Sequence, residues 1–200
     1  MIGTLSPRIL GIAGSPRRHG NTDRLLDACL EGAEAAGGTA TRLVVATAGI
    51  DPCRGCNGCS KDGHCVVRDG MQDVYPMLDE ADAVVVATPV FFATVPAVLK
   101  ALYDRCQPYW ARRYVLGRPV ERRRPAGLLV AGGGGDPYGH ACAVTTSRSV
   151  FAVLGLDYIA ELVVRADKPG DVEASPEELD QARAIGAALA SEAAERIARP

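Results

Sequence analysis

Four of the seven cysteines fall at Cys53, Cys56, Cys59 and Cys65. The spacing is C-x2-C-x2-C-x5-C, and two-residue gaps let neighbouring thiolates converge on one centre. Glycine stands in each short gap, in Arg54-Gly55 and Asn57-Gly58, where it permits the tight turns that convergence needs. Three compact sulfurs with a fourth nearby suit a cubane [4Fe–4S] cluster. Zinc fits less well, because structural zinc sites pair two knuckles across a longer spacer. Free thiols or a disulfide are the remaining readings. A purely disulfide framework would not use an odd number of cysteines completely.

A second candidate site is Gly14-Ser15-Pro16-Arg17-Arg18-His19-Gly20-Asn21-Thr22. It lies between an apolar run and a helical pattern, where orphan amides and the helix dipole favour an anion. Ser15, Asn21 and Thr22 add neutral donors, and Arg17 adds a charge. Neither G-K-[ST] nor G-x-G-x-x-G is present, so the loop is not a Walker A or dinucleotide fingerprint. Donors without a lysine suit a phosphate monoester.

The elements that must position these residues follow from hydrophobic runs and turn signals. Arg8–Ala13, Thr39–Ala46, Ala83–Ala87, Ala126–Ala131 and Leu156–Val164 read as buried strands. Between them the spacing predicts helices from Asn21 or Thr22 as cap to Ala36, then over Met71–Glu80, Pro96–Arg105 and Tyr138–Leu154. A last helix begins at Ser175-Pro176-x-Glu178, a capping-box pattern, and runs to Ile197. Residues 47–70 form an ordered, cysteine-rich loop after the second strand. Alternating strands and helices imply one parallel sheet covered on both faces. Ligands of such sheets bind outside the strand carboxyl ends. The loops of interest are therefore 14–22, 47–70, 88–96 and 132–140.

Several of these segments resemble the NADPH-dependent FMN reductase branch of flavodoxin-like proteins. G-S-P-R-x-x-G-N-T resembles that family's FMN-phosphate loop. Asp69-Gly70-Met71 resembles its D-D-M, Thr88-Pro89-Val90-Phe91-Phe92 its T/S-P-V-Y-F flavin loop, and Lys100 through Asp104-Arg105 its K-x-x-x-D-R helix. The resemblance covers residues 8–162. It implies a flavodoxin-like three-layer α/β sandwich, a five-stranded parallel sheet in the order 2-1-3-4-5, and one domain over the 200 residues.

On that resemblance Ser15, Arg17, Asn21 and Thr22 hold the FMN phosphate, and Pro89, Val90, Phe91 and Phe92 flank the isoalloxazine. Gly132, Gly133 and Gly134, with Gly135 and Asp136, close its other side. It also implies NAD(P)H as donor, a small acceptor such as a flavin or quinone, and a homodimer or homotetramer. The cysteines match the compact motif of iron–sulfur flavoproteins, which adds a [4Fe–4S] cluster and ferredoxin as an alternative electron source. Arg54 and Lys61 would offset part of the cluster charge. Two departures stand out. Gly70 replaces an aspartate, which softens a helix cap, and Phe91 replaces a tyrosine, which removes a hydroxyl near the flavin. No side chain is nominated as catalytic.

Composition excludes other classes. The net charge of −2 and 5% aromatic content give no reason to bind nucleic acid. No apolar run reaches the roughly 18–20 residues of a membrane span, and Met1–Arg8 lacks an apolar signal core. The expectation is a cytoplasmic chain with reduced thiols. Residues 100–124 carry eight Lys or Arg against two acidic residues, which reads as a solvated loop, a nicotinamide-phosphate site or a dock for an acidic partner. Cys29, Cys106 and Cys142 read as helix packing, Tyr109 and Trp110 as core, interface or a cap on a neighbouring subunit's flavin pocket, and His140 as exposed or capping ahead of a flavin or substrate contact.

Overall fold

The computed structural model describes residues 6–199. Five strands, β1 (Arg8–Ala13), β2 (Thr39–Val44), β3 (Ala83–Pro89), β4 (Arg124–Gly132) and β5 (Leu156–Arg165), form one sheet in the order β2-β1-β3-β4-β5. Every pairing is parallel. This is the flavodoxin-like order implied above.

Six α-helices cover the two faces: α1 (Asn21–Ala35), α2 (Met71–Glu80), α3 (Ala97–Asp104), α4 (Gln107–Tyr114), α5 (Ala141–Val153) and α6 (Pro176–Ala198). Side chains alternate across the strands. Val84, Val86, Leu128 and Val130 join the core under α2, α3 and α5. Ala83, Val85, Ala87 and Leu129 join the core under α1 and α6. The helices α1 and α6 touch backbone to backbone. A Cβ on Gly186 would lie 1.7 Å from the Cys29 carbonyl oxygen, and one on Gly32 2.0 Å from that of Arg183.

Three local readings need correction. Gly20, not Asn21 or Thr22, is the α1 N-cap, with no side-chain cap bond. Ser175 precedes Pro176 as expected, yet its side chain makes no cap either. The basic stretch after Arg105 contains α4, a short helix that its arginines hid. Pro108, Tyr109 and Ala111 are buried, and this packing overrides the polar composition.

Candidate functional site

Strand β1 ends at Ala13, and the Gly14 amide donates to the Ala87 carbonyl of β3 at 2.8 Å. A Cβ on Gly14 would lie 2.6 Å from the Leu99 side chain, so glycine brings the loop close to the sheet. The chain then turns through His19, whose φ of 55° is left-handed. The His19 amide donates to the Asp23 carboxylate at 2.7 Å, which locks this turn onto α1. The Ser15 hydroxyl, buried, accepts the Arg17 amide at 3.0 Å. Its own proton is therefore free to donate outward.

Ser15, Arg17, Asn21 and Thr22 line one cavity of about 130 Å3 together with Pro89, Val90, Phe91, Gly132 and Gly133. The structure thus gathers the predicted phosphate-loop and flavin-loop residues. Asn21 differs in one respect. Its side-chain amide donates to the Lys168 carbonyl at 2.9 Å and its oxygen accepts the Val172 amide at 3.4 Å. This leaves its backbone N–H, with that of Thr22, at the α1 N-terminus, where orphan amides favour an anion.

A wider cavity of about 560 Å3 shares Val90, Gly132, Gly133 and Asp167 with the first. Phe92, Gly134, Gly135, Asp136 and His140 also line it. Phe92 and Ala93 have φ values of 49° and 65°, uncommon for non-glycine residues and costly without support. Two bonds hold this turn, Phe91 N–H to Thr94 O at 2.8 Å and Thr94 N–H to Phe91 O at 3.1 Å. The result is a phenylalanine ring, Phe92, 96% exposed beside the cavity. On the opposite wall a Cβ on Gly133 would lie 3.0 Å from the Asp167 carboxyl, so glycine opens the space.

The sequence reading missed Arg165 and Asp167, which line this cavity at the end of β5. The rule that ligands lie at strand carboxyl ends points to them, since both stand at the end of the fifth strand, outside loops 14–22, 47–70, 88–96 and 132–140.

The cysteines gather separately. Cys53, Cys56, Cys59 and Cys65 line one cavity of about 200 Å3 with Arg54, Arg105, Gln107 and Trp110. None of its lining residues also lines the two strand-end cavities. The left-handed turns in the two short cysteine gaps fall at Gly55 (φ 63°) and Asn57 (φ 56°), and Gly63 (φ 83°) makes another in the long gap. Gly58 serves space instead, since a Cβ there would lie 2.9 Å from Val66. All four thiols are free. Among the described residues no three His, Cys, Asp or Glu side chains converge at metal-ligating distance, so the sulfurs line the cavity without closing a coordination shell. Burial pushes the Cys59 thiol up. Of the two cations expected to balance cluster charge, Arg54 lines this cavity and Lys61 does not. The buried cation is Arg105, 1% exposed.

Arg105 closes the base of the loop. Its two terminal nitrogens bond both oxygens of Asp69 at 2.5 and 2.9 Å, and one also bonds the Asp51 carbonyl at 2.9 Å. Asp69 in turn accepts the Asp51 and Met71 amides at 2.8 and 3.1 Å, so it holds the first α2 amide and ties both ends of the cysteine loop together. Arg105 holds the Asp69 carboxyl below the usual carboxylate range, against the opposing effect of burial. Gly70 is the α2 N-cap and makes no side-chain cap bond, in line with the softened cap expected of it, and it meets a steric demand as well. A Cβ there would lie 1.6 Å from the Ala48 carbonyl oxygen, so this backbone has no room for the aspartate of D-D-M.

The other cysteines divide. Burial pushes the Cys29 and Cys106 thiols up to about 12, as expected for packing residues. Cys106 sits in the turn before α4. Cys142 is exposed on α5, contrary to the packing expected of it. In the basic stretch Arg105 and Arg124 are buried. A solvated loop therefore describes only part of it. Tyr109 is buried, while Trp110 is partly exposed.

A family model described as NADPH-dependent FMN reductase matches residues 7–169. The chain belongs to this family. It is 30% identical over 183 residues to an iron-sulfur flavoprotein of Archaeoglobus fulgidus, covering 92% of this chain and 79% of that one. A second iron-sulfur flavoprotein, from Methanosarcina thermophila, is 37% identical over 98 residues. That match spans 49% of this chain and about half of the relative, 51%. Among solved structures, an NAD(P)H:quinone oxidoreductase from Methanothermobacter marburgensis has a similar fold. Its TM-score is 0.68 at 19% identity, over 92% of this chain and 96% of that one. Membership of the FMN reductase family makes the protein a flavin-dependent oxidoreductase. No helix among the described residues is long and apolar enough to cross a membrane.

Proposed function

We propose that the protein is an FMN-dependent NAD(P)H oxidoreductase that passes electrons to a small acceptor such as a flavin or quinone. The observation that carries this reading is the pair of adjoining strand-end cavities, one rich in donors and one walled by glycine, in a chain of this family.

The donor set fits a flavin phosphate. Ser15 supplies a buried hydroxyl, Arg17 a charge, and Asn21 and Thr22 the helix-terminal amides. Pro89, Val90, Phe91 and Phe92 border one side of the ring, and Gly132, Gly133, Gly134 and Asp136 the other. Bound FMN supplies hydride acceptance and release of electrons singly or in pairs. The protein binds it, orients it and shields it; no side chain is required as nucleophile or general acid. The whole chain serves as one FMN-binding domain.

Cys53, Cys56, Cys59 and Cys65 are proposed to hold a [4Fe–4S] cluster. Four thiols on one cavity with a buried arginine supply the sulfur ligands and a positive charge to set against an anionic cluster. The relatives named iron-sulfur flavoprotein support the same reading. A second reading is favoured by this cavity: an electron carrier reduced by ferredoxin, without a small-molecule substrate of its own.

Anaerobic mixing separates the two. Rapid bleaching of the flavin by NADPH without a partner supports the reductase. Slow bleaching by NADPH with fast reduction by reduced ferredoxin supports the carrier. By family resemblance the assembly is a homodimer or homotetramer, which size-exclusion at several concentrations measures.

A further inference from the structure

Among the described residues, the Arg105 Nε is the one buried side-chain nitrogen or oxygen without a hydrogen-bond partner. This is unexpected in so well-paired a group. Asp69 takes the end of the guanidinium through both terminal nitrogens, and Asp51 takes a further contact. An end-on carboxylate leaves the Nε–H on the lateral edge, pointing away from the ion pair. A buried donor left unpaired is costly, and Arg105 lines the cavity that holds the four cysteines.

Of the four cysteines on that cavity, Cys65 stands nearest in the chain to Asp69, the carboxylate that holds Arg105. The Tyr75 hydroxyl donates to the Arg105 carbonyl at 2.9 Å. Arg105 and Cys65 thus line one cavity, with Tyr75 bonded to the Arg105 backbone.

We propose that the Arg105 Nε–H donates a hydrogen bond to the Cys65 sulfur when that sulfur is a cluster ligand, and so raises the cluster's reduction potential. The assignment rests on the cluster reading above. Hydrogen bonds to ligand sulfurs stabilise the more negative, reduced state. Arg105 is a positioning residue: it acts on the ligand and exchanges no electron. Asp69 gives it a fixed orientation that lysine, a flexible point charge with no lateral donor, cannot reproduce.

The test uses the anaerobically reconstituted full chain and an EPR-monitored titration with dithionite. Arg105→Lys keeps the charge and removes the lateral donor. Its cluster is expected to be about tenfold harder to reduce, about 59 mV lower for one electron, with the flavin potential unmoved. A merely structural role gives the opposite sign, because a loosened loop admits water, which favours the more charged state. A raised or unchanged potential in a loaded variant therefore overturns the Arg105 assignment and leaves the cluster reading standing. Wild-type protein without iron and sulfide overturns both. Where Arg105→Lys does not load, wild-type protein carrying isotope-labelled arginine gives the answer. Hyperfine coupling of the reduced cluster to a guanidinium nitrogen is expected, and its absence overturns the assignment.

Discussion

Replacing Asp69 with asparagine removes half of a buried ion pair while barely changing shape. In the wild type the partners are 9% and 1% exposed. The carboxylate takes two bonds from Arg105 and two from backbone amides. Asparagine keeps one oxygen for an amide but leaves the Arg105 charge uncompensated. Breaking a buried pair from one side costs roughly 3–5 kcal/mol. The retained oxygen puts Asp69→Asn near the lower end, at about 3 kcal/mol. For a chain of this length each kcal/mol lowers Tm by about 2–4 °C, so the expected drop is about 6–12 °C. Scanning calorimetry at matched FMN occupancy measures it, since a bound ligand shifts Tm by itself.

The pH dependence provides a second reading of the same variant. Arg105 depresses the Asp69 carboxyl in the folded state. That stability is fully present above the unfolded value of about 3.9 and is lost as pH falls through the lower folded value. The gap between wild type and Asp69→Asn should be constant near neutrality and close on strong acidification. A Tm change under about 2 °C at neutral pH, smaller than one kcal/mol, would refute the reasoning that this pair closes the cysteine loop.

Three further outcomes follow from the same geometry. Gly70→Asp, which restores the family's aspartate, forces a Cβ to 1.6 Å from the Ala48 oxygen. It should destabilise by about 1–3 kcal/mol or more in denaturant unfolding. Gly186→Ala pushes α6 off the Cys29 carbonyl and should cost a similar 1–3 kcal/mol, with the denaturant slope unchanged. Ser15→Ala removes a donor aimed at an anion and should weaken FMN binding about 10–100-fold, from about 1.5–3 kcal/mol per charged hydrogen bond, measured by fluorescence titration.

The sheet was legible because its strands are short apolar runs punctuated by Gly and Pro. The β1 range and the α2 range match their sequence readings to the residue. Helix α4 was not legible, because Arg112 and Arg113 dominate its composition while only Pro108, Tyr109 and Ala111 are buried. The gathering of Ser15, Arg17, Asn21 and Thr22 with the 89–91 loop followed from the strand-end rule. Arg165 and Asp167 lay beyond the loops that rule was applied to. What no local pattern carries is the meeting of two motifs. Asp69 and Arg105, 36 residues apart, are separate pieces in the sequence and become one buried pair when α3 brings its last residues under the cysteine loop. The steric demand at Gly70 was not legible for a related reason: it is set by the Ala48 carbonyl, a neighbour that sequence spacing does not reveal.

The central claim joins a flavin site at the strand ends to a cluster site on the four cysteines. Its most direct measurement is the cofactor content of the full chain purified anaerobically, with flavin, iron and acid-labile sulfide assayed in one sample. The account predicts bound FMN together with about four iron and four sulfide per chain. FMN without iron or sulfide would contradict the cluster, and a protein with neither FMN nor affinity for it would contradict the account as a whole.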